Sequence, residues 1–184
     1  MNITVDTQIA FPRDVVYATY RDRLTELTPY LPNVLSIVTT SRQDLAGKVT
    51  CMNEWRGGGE IPLALRTFLS EDLLAWTEHA IWDTTRCVLD WRIETHAFRS
   101  AVKCGGQNTF LAQGDSTIIQ HRGQITIDAA SLQGIPWPLG GSVAQMAEAF
   151  LGQHITSNIR QMSHGVESYL KKLTSSQGKT PPLQ

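Results

Sequence analysis

The alternation of apolar and polar residues along this chain predicts a run of strands followed by one long helix. Asn2 to Phe11 places Ile3, Val5, Thr7 and Ile9 on one side against Thr4, Asp6 and Gln8, the period of a half-buried strand. Pro12 ends it and can occupy a helix start. From Arg13 to Leu31 the spacing of Val15, Val16, Ala18, Thr19, Leu24, Leu27 and Leu31 predicts helix, split in two by the charges Arg21, Asp22 and Arg23. Val34 to Leu45 and Lys48 to Arg56 then read as a hairpin turning at Ala46-Gly47. Gly57 to Asp72, with three glycines and the apolar series Leu63, Leu65, Phe68 and Leu69, reads as a loop with a short helix in preference to a ragged edge strand. Strand pattern resumes in Leu73–Asp83, Arg86–Ala97, Ser100–Gln113 and Ser116–Asp128, whose short connections favour antiparallel neighbours.

The last pattern has the period of a helix. Gly140-Gly141 close an apolar loop, and Ser142 with Gln145 predicts a capping box at a helix start. Val143, Ala147, Phe150, Leu151, Ile155, Ile159, Met162, Val166, Tyr169 and Leu170 then recur every three or four residues up to Lys172. About thirty residues at about 1.5 Å each give a helix roughly 45 Å long, enough to cross the face of a sheet. A curled sheet needs its concave face covered, and this helix is the element long enough to do it, which predicts a cavity between the two. The expected architecture is α+β, a seven-stranded curved antiparallel sheet around a C-terminal helix, with two short helices after the first strand. It forms one domain over residues 1–173, followed by a disordered Ser-, Gly- and Pro-rich tail over 174–184.

Composition removes several classes of function. Sixteen Lys and Arg against 17 Asp and Glu, a net charge of −1, leave no basic field for a nucleic acid. No signal-peptide pattern opens the chain and no apolar run nears the roughly 20 residues of a membrane span, so the expectation is a cytoplasmic protein. Cys51, Cys87 and Cys104 are too few and too scattered for a disulfide framework and read as buried small hydrophobes. The five histidines make no pair at ligand spacing, Gly57-Gly58-Gly59 lacks the Lys-Ser or Lys-Thr of a phosphate loop, and no Gly-x-Ser-x-Gly elbow occurs. No cofactor and no metal are expected.

Ile9-Ala10-Phe11-Pro12 with Val15-Val16-Tyr17-Ala18-Thr19-Tyr20, Leu74-Ala75-Trp76-Thr77 through Trp82-Asp83, Leu89-Asp90-Trp91-Arg92-Ile93 and the closing helix set aromatic signposts along this order of elements. Together they resemble the START-like, or SRPBCC, superfamily of lipid-transfer domains, pollen allergens and polyketide cyclases. The resemblance implies a helix-grip fold around a hydrophobic ligand pocket. Fold alone does not assign a function within so varied a superfamily.

Strand parity nominates the residues that face this pocket. Trp91 shares a face with Cys87, Leu89, Ile93, Thr95 and Ala97; Asn108 and Phe110 with Val102, Cys104 and Gly106; His121 with Thr117, Ile119, Gly123 and Ile125; Asn53 and Trp55 with Val49 and Cys51. Asn53, Asn108 and His121 are polar residues on apolar faces. Each must find a partner in the protein or serve as the polar handle of a ligand. His121 is also a candidate general acid or base. Glu78 and Glu94 suggest a carboxylate pair, but Glu94 falls on the polar face and reads as a solvated salt-bridge partner. Trp137, in the stiff apolar loop Ile135-Pro136-Trp137-Pro138-Leu139, is either a gate or membrane-touching tip, or a plug at one end of the cavity. The ligand-binding set is therefore Asn53, Trp55, Trp91, Asn108, Phe110, His121, Trp137 and Phe150. The expected function is binding or transfer of a lipid, sterol, quinone or polyketide-like molecule. A cyclase or dehydratase using the same cavity and an interaction module using the long helix or the Trp137 loop are the alternatives.

Overall fold

The computed structural model describes residues 1–58, 74–132 and 137–177. Seven strands form one antiparallel sheet: β1 (Asn2–Ile9), β2 (Val34–Leu45), β3 (Lys48–Gly57), β4 (Ala75–Asp83), β5 (Val88–Thr95), β6 (Val102–Gln113) and β7 (Ser116–Ile127). Their spatial order is β1-β7-β6-β5-β4-β3-β2, so consecutive strands from β2 to β7 are neighbours and the first strand joins the last. Helix α1 (Arg13–Asp22) and a 3-10 segment (Leu24–Tyr30) follow β1, a 3-10 turn (Ala129–Ser131) follows β7, and α2 (Trp137–Gln177) closes the chain. This is the expected helix-grip α+β architecture. The predicted loop with a short helix at 57–72 falls almost entirely outside the described residues.

The alternating patterns fold as their period dictates. In β1, Ile3, Val5 and Ile9 are buried while Asn2, Thr4 and Asp6 are exposed; in β3, Val49, Cys51 and Asn53 are buried between exposed neighbours. Gly47 turns the β2–β3 hairpin with φ +76°, a left-handed backbone that suits glycine. The apolar stripe of α2 is covered: Val143, Ala147, Phe150, Leu151, Val166, Tyr169 and Leu170 are all buried. These side chains complete two core clusters. One joins α1, the 3-10 segment and the C-terminal half of α2 to the sheet, and the other joins the N-terminal half of α2 to β6 and β7.

The start of α2 corrects the sequence expectation. The helix begins at Trp137, not at Ser142, and Gly140-Gly141 lie within it. Pro138 fits an opening turn, where its missing N–H has no carbonyl to bond. Gly140 has a packing reason to lack a side chain, because a Cβ there would meet the Ala129 carbonyl oxygen at 3.2 Å. The glycine pair thus lets the first turns of α2 approach the 3-10 turn rather than stopping a loop. At the other end the helix runs on through Thr174–Gln177. Among the described residues, no helix is long and apolar enough to cross a membrane.

Candidate functional site

A cavity of about 210 Å³ lies between the sheet and the middle of α2. Its sheet walls come from β3 to β7, with Trp55, Trp76, Leu89, Trp91, Ile93 and Ile125 prominent, and α2 supplies Leu151, His154, Ile155, Asn158, Ile159 and Met162. The apolar positions on α2 that face it follow the three-and-four spacing of the stripe. The cavity therefore exists because the stripe and the concave strand faces do not quite meet.

Trp91 is held by an arrangement spread over three strands. It pairs in register with Gly106, which pairs with Gly123, so two residues without side chains lie beside its indole. A Cβ on either glycine would come within 2.8 Å of the ring. Asn108 then fixes the ring's rotation, its Oδ1 accepting from Trp91 Nε1 at 3.0 Å. Asn108→Ala would leave that donor unpaired, and a loss of about 1–2 kcal/mol in chemical denaturation is the expected result.

Glu78 is the residue that sequence reasoning undervalued. It stands on the concave face of β4 between Trp76 and Ala80, half-buried, and lines the cavity. Asn53 Nδ2 donates to its Oε2 at 3.0 Å and Trp55 Nε1 to the same oxygen at 3.1 Å. Burial raises the carboxyl above its ordinary value, against the smaller lowering effect of these two hydrogen bonds. Thr39 Oγ1 donates to Asn53 Oδ1 at 2.8 Å, which turns the Asn53 amide so that its NH2 meets the acid. Glu94 lies on the opposite face with His79 and Arg99, so the two carboxylates never form a pair. The alternation of Trp76, Glu78, Ala80 and Trp82 carried the signal, an acid in the middle of an apolar face.

His121 occupies a second polar corner. It is 2 % exposed, and its Nε2 lies 3.2 Å from Thr7 Oγ1. Thr7 Oγ1 accepts from Ser163 Oγ of α2 at 2.8 Å, and Ser163 Oγ is 3.3 Å from Tyr20 OH. A buried chain of four side chains thus ties β7, β1, α2 and α1 together. His121 Nδ1 has no partner among the described residues. Burial lowers the imidazole to about 4, so it is neutral near physiological pH.

Register sets the distance between the corners. Glu78 shares a cross-strand row with Ile93, Cys104 and Ile125, whereas His121 shares one with Asn108, Leu89 and Trp82. They are three strands apart, about 14 Å in a flat sheet at roughly 4.8 Å per strand, and their rows are offset by four residues, about 13 Å. Curvature shortens the first separation but not the second. Cys104, also on the wall, is a thiol pushed up to about 11 by burial, which leaves it unreactive.

The remaining candidates take varied places. Trp55, Trp91, Asn108 and His121 line the cavity, whereas Asn53 stands behind Glu78 and acts through it. Phe110 sits in an aromatic cluster, 5.2 Å from Tyr17 and 5.5 Å from Tyr20 between ring centres. Phe150 is buried beside His154, its ring 4.3 Å away, and it is His154 that reaches the cavity wall. Trp137 is the first residue of α2, and its side chain lies outside the described residues. Among the described residues no group of three or more His, Cys, Asp or Glu is placed to hold a metal ion.

Sheet, closing helix and the cavity between them define a helix-grip protein. Solved structures share this fold: the Zhui aromatase/cyclase from Streptomyces sp. R1128, with 16 % identity, 92 % of this chain and 95 % of that one covered, and a TM-score of 0.65; truncated norcoclaurine synthase from Thalictrum flavum, with 13 % identity, 92 % of each covered, and 0.62; and a START superfamily protein from Mycobacterium smegmatis, with 9 % identity, 94 % and 98 % covered, and 0.53. At these identities the likeness is one of fold alone, the helix-grip fold. No family model matches the sequence, and no curated protein matches it.

Proposed function

We propose that this protein binds a compact, mainly apolar small molecule between the sheet and α2. The observation that carries this reading is the cavity itself, about 210 Å³ walled largely by Trp, Leu and Ile side chains with a few separated polar groups. That volume exceeds the roughly 150 Å³ that admits benzene and falls below the roughly 300 Å³ where drug-sized sites begin, so it suits one or two rings. The volume favours ring-bearing molecules of small-quinone or polyketide-fragment size over whole lipids and sterols. Burying about 200 Å² of apolar ligand surface contributes about 5 kcal/mol, a Kd on the order of 0.1 mM before any polar contact.

A cyclase or dehydratase remains the second reading, because two titratable groups, half-buried Glu78 and buried His121, line one cavity. Their separation across strands and rows argues against both acting on one reacting atom, which general acid–base catalysis at a single centre would require. The interaction module loses its main support, since the apolar stripe of α2 is covered within the protein.

Native mass spectrometry of protein purified from its own cells, followed by solvent extraction, tests the binding reading. The expected result is an adduct of one- or two-ring size that extraction removes, and uptake of added 2-naphthol by the extracted protein. A clean apo mass together with no saturable 2-naphthol binding would remove the reading.

A further inference from the structure

We propose that the ligand of this cavity carries a protonated amine, with the Glu78 carboxylate as its counter-charge. This deepens the binding reading and rests on it.

The geometry around Glu78 is that of an acceptor held in place, with one oxygen unbonded among the described residues. Asn53 and Trp55 both donate to Oε2, and Thr39 locks the orientation of Asn53 from behind. Among the described residues none donates to Oε1, and no Lys, Arg or His lies within salt-bridge reach of the acid. Other acids of the fold have such partners: Asp22 and Asp44 share Arg42, Glu94 has His79 and Arg99, and Asp6 has Arg122. A buried carboxylate without a cation is costly. Glutamine would occupy the same volume and still accept from Asn53 and Trp55, so orienting those two residues does not require a charge. What an acid adds here is attraction for a cation brought in from outside.

The surroundings suit that cation. Trp55 and Trp76 stack with ring centres 5.7 Å apart and planes 13° from parallel, and both line the cavity with Trp91. Indole faces carry negative quadrupole charge and attract ammonium groups, most strongly where water is displaced. An ammonium N–H donating to Glu78 Oε1 would leave the apolar body of the ligand over Trp91, Ile93 and Leu89. A neutral, protonated Glu78 would instead donate to a carbonyl, and the two possibilities select opposite ligands.

Three probes of nearly equal size separate them: 2-phenylethylamine, 2-phenylethanol and 3-phenylpropanoate. Each is titrated into the extracted protein by calorimetry and by quenching of tryptophan fluorescence, over a pH series that ends mildly alkaline, where the amine is still largely protonated. The expected result is an amine at least about tenfold tighter than the alcohol, with the carboxylate weakest. Glu78→Gln should bring the amine-to-alcohol ratio to about one. The wild-type comparison stands by itself should that variant fold poorly. Equal binding of amine and alcohol, or tighter binding of the carboxylate, would overturn the amine while leaving the cavity reading intact. Failure of all three probes to bind while 2-naphthol is still taken up would overturn the amine alone, and loss of 2-naphthol uptake as well would overturn both.

Discussion

Gly106→Ala is expected to lower unfolding free energy by about 3 kcal/mol or more and to blue-shift or broaden tryptophan emission. A Cβ on Gly106 would lie 2.2 Å from the Arg122 carbonyl oxygen, 2.6 Å from Gly123 Cα and 2.8 Å from the Trp91 ring. The first two are backbone atoms of the β6–β7 ladder, which cannot retreat without loss of cross-strand hydrogen bonds, so the penalty belongs at or above the upper end for overpacking. Gly123→Ala is the milder companion. Its close contacts include the Gly105 carbonyl oxygen at 2.9 Å, but its nearest is the end of the Trp91 side chain at 2.8 Å, which can swing into the cavity. That variant should lose about 1–2 kcal/mol and bind 2-naphthol more weakly, because the indole then occupies ligand space. Urea titrations of both, followed by fluorescence, decide the matter. A Gly106→Ala midpoint shift worth less than about 1 kcal/mol would show that Trp91 and its strands are not packed as described.

The second large effect is a pH dependence set by His121. In the folded protein the imidazole takes up its proton only near a pKa of about 4, against 6.5 for the free side chain. Between these values the unfolded chain binds more protons, so stability is fully present above about pH 6.5 and declines as pH falls towards 4. From about pH 7 to about pH 5 the expected loss is about 2 kcal/mol. Glu78 acts in the opposite sense. Its raised carboxyl favours the folded state at acid pH and withdraws that contribution as pH rises through the folded value. The quantity to measure is therefore the difference in slope between wild type and His121→Asn, in which the Glu78 contribution cancels. Parallel curves would mean that His121 can be protonated in place, and that its corner is wetter than the geometry indicates.

Much of this site was readable from period alone. The inward faces of β3 and β7 alternate with more exposed neighbours, and Trp55, Trp91, Asn108 and His121 lie on the cavity wall with Asn53 behind Glu78. Partners across strands were not readable. Parity puts Gly106 and Gly123 on the same side as Trp91, but only register brings the three residues into one row. Phe110 also shows the limit of parity, because a concave face extends past the cavity into the core beneath α1, where Tyr17 and Tyr20 cover it. Glu78 was passed over because it was weighed only as half of a pair with Glu94, which parity puts on the polar face; register sets Glu78 opposite Ile93 and Glu94 opposite Thr77. The early start of α2 escaped because a glycine pair signals a break only until a close neighbour, here the Ala129 carbonyl, gives it another purpose.

The joining of β1 to β7 bears on how the protein reaches its native state. Strands β2 to β7 can pair one after another as each hairpin is made, but β1 must wait for a partner that follows it by more than a hundred residues. Helix α2, which covers the concave face, is made later still. During synthesis at roughly 5–20 residues per second, the apolar side of the growing sheet is exposed for several seconds with nothing to shield it. Such long-range closure places folding at the slow end for a domain of this size. It also makes the Trp-rich concave face, the same surface that accepts a ligand in the finished molecule, the surface at which nascent chains would associate with one another or with a chaperone.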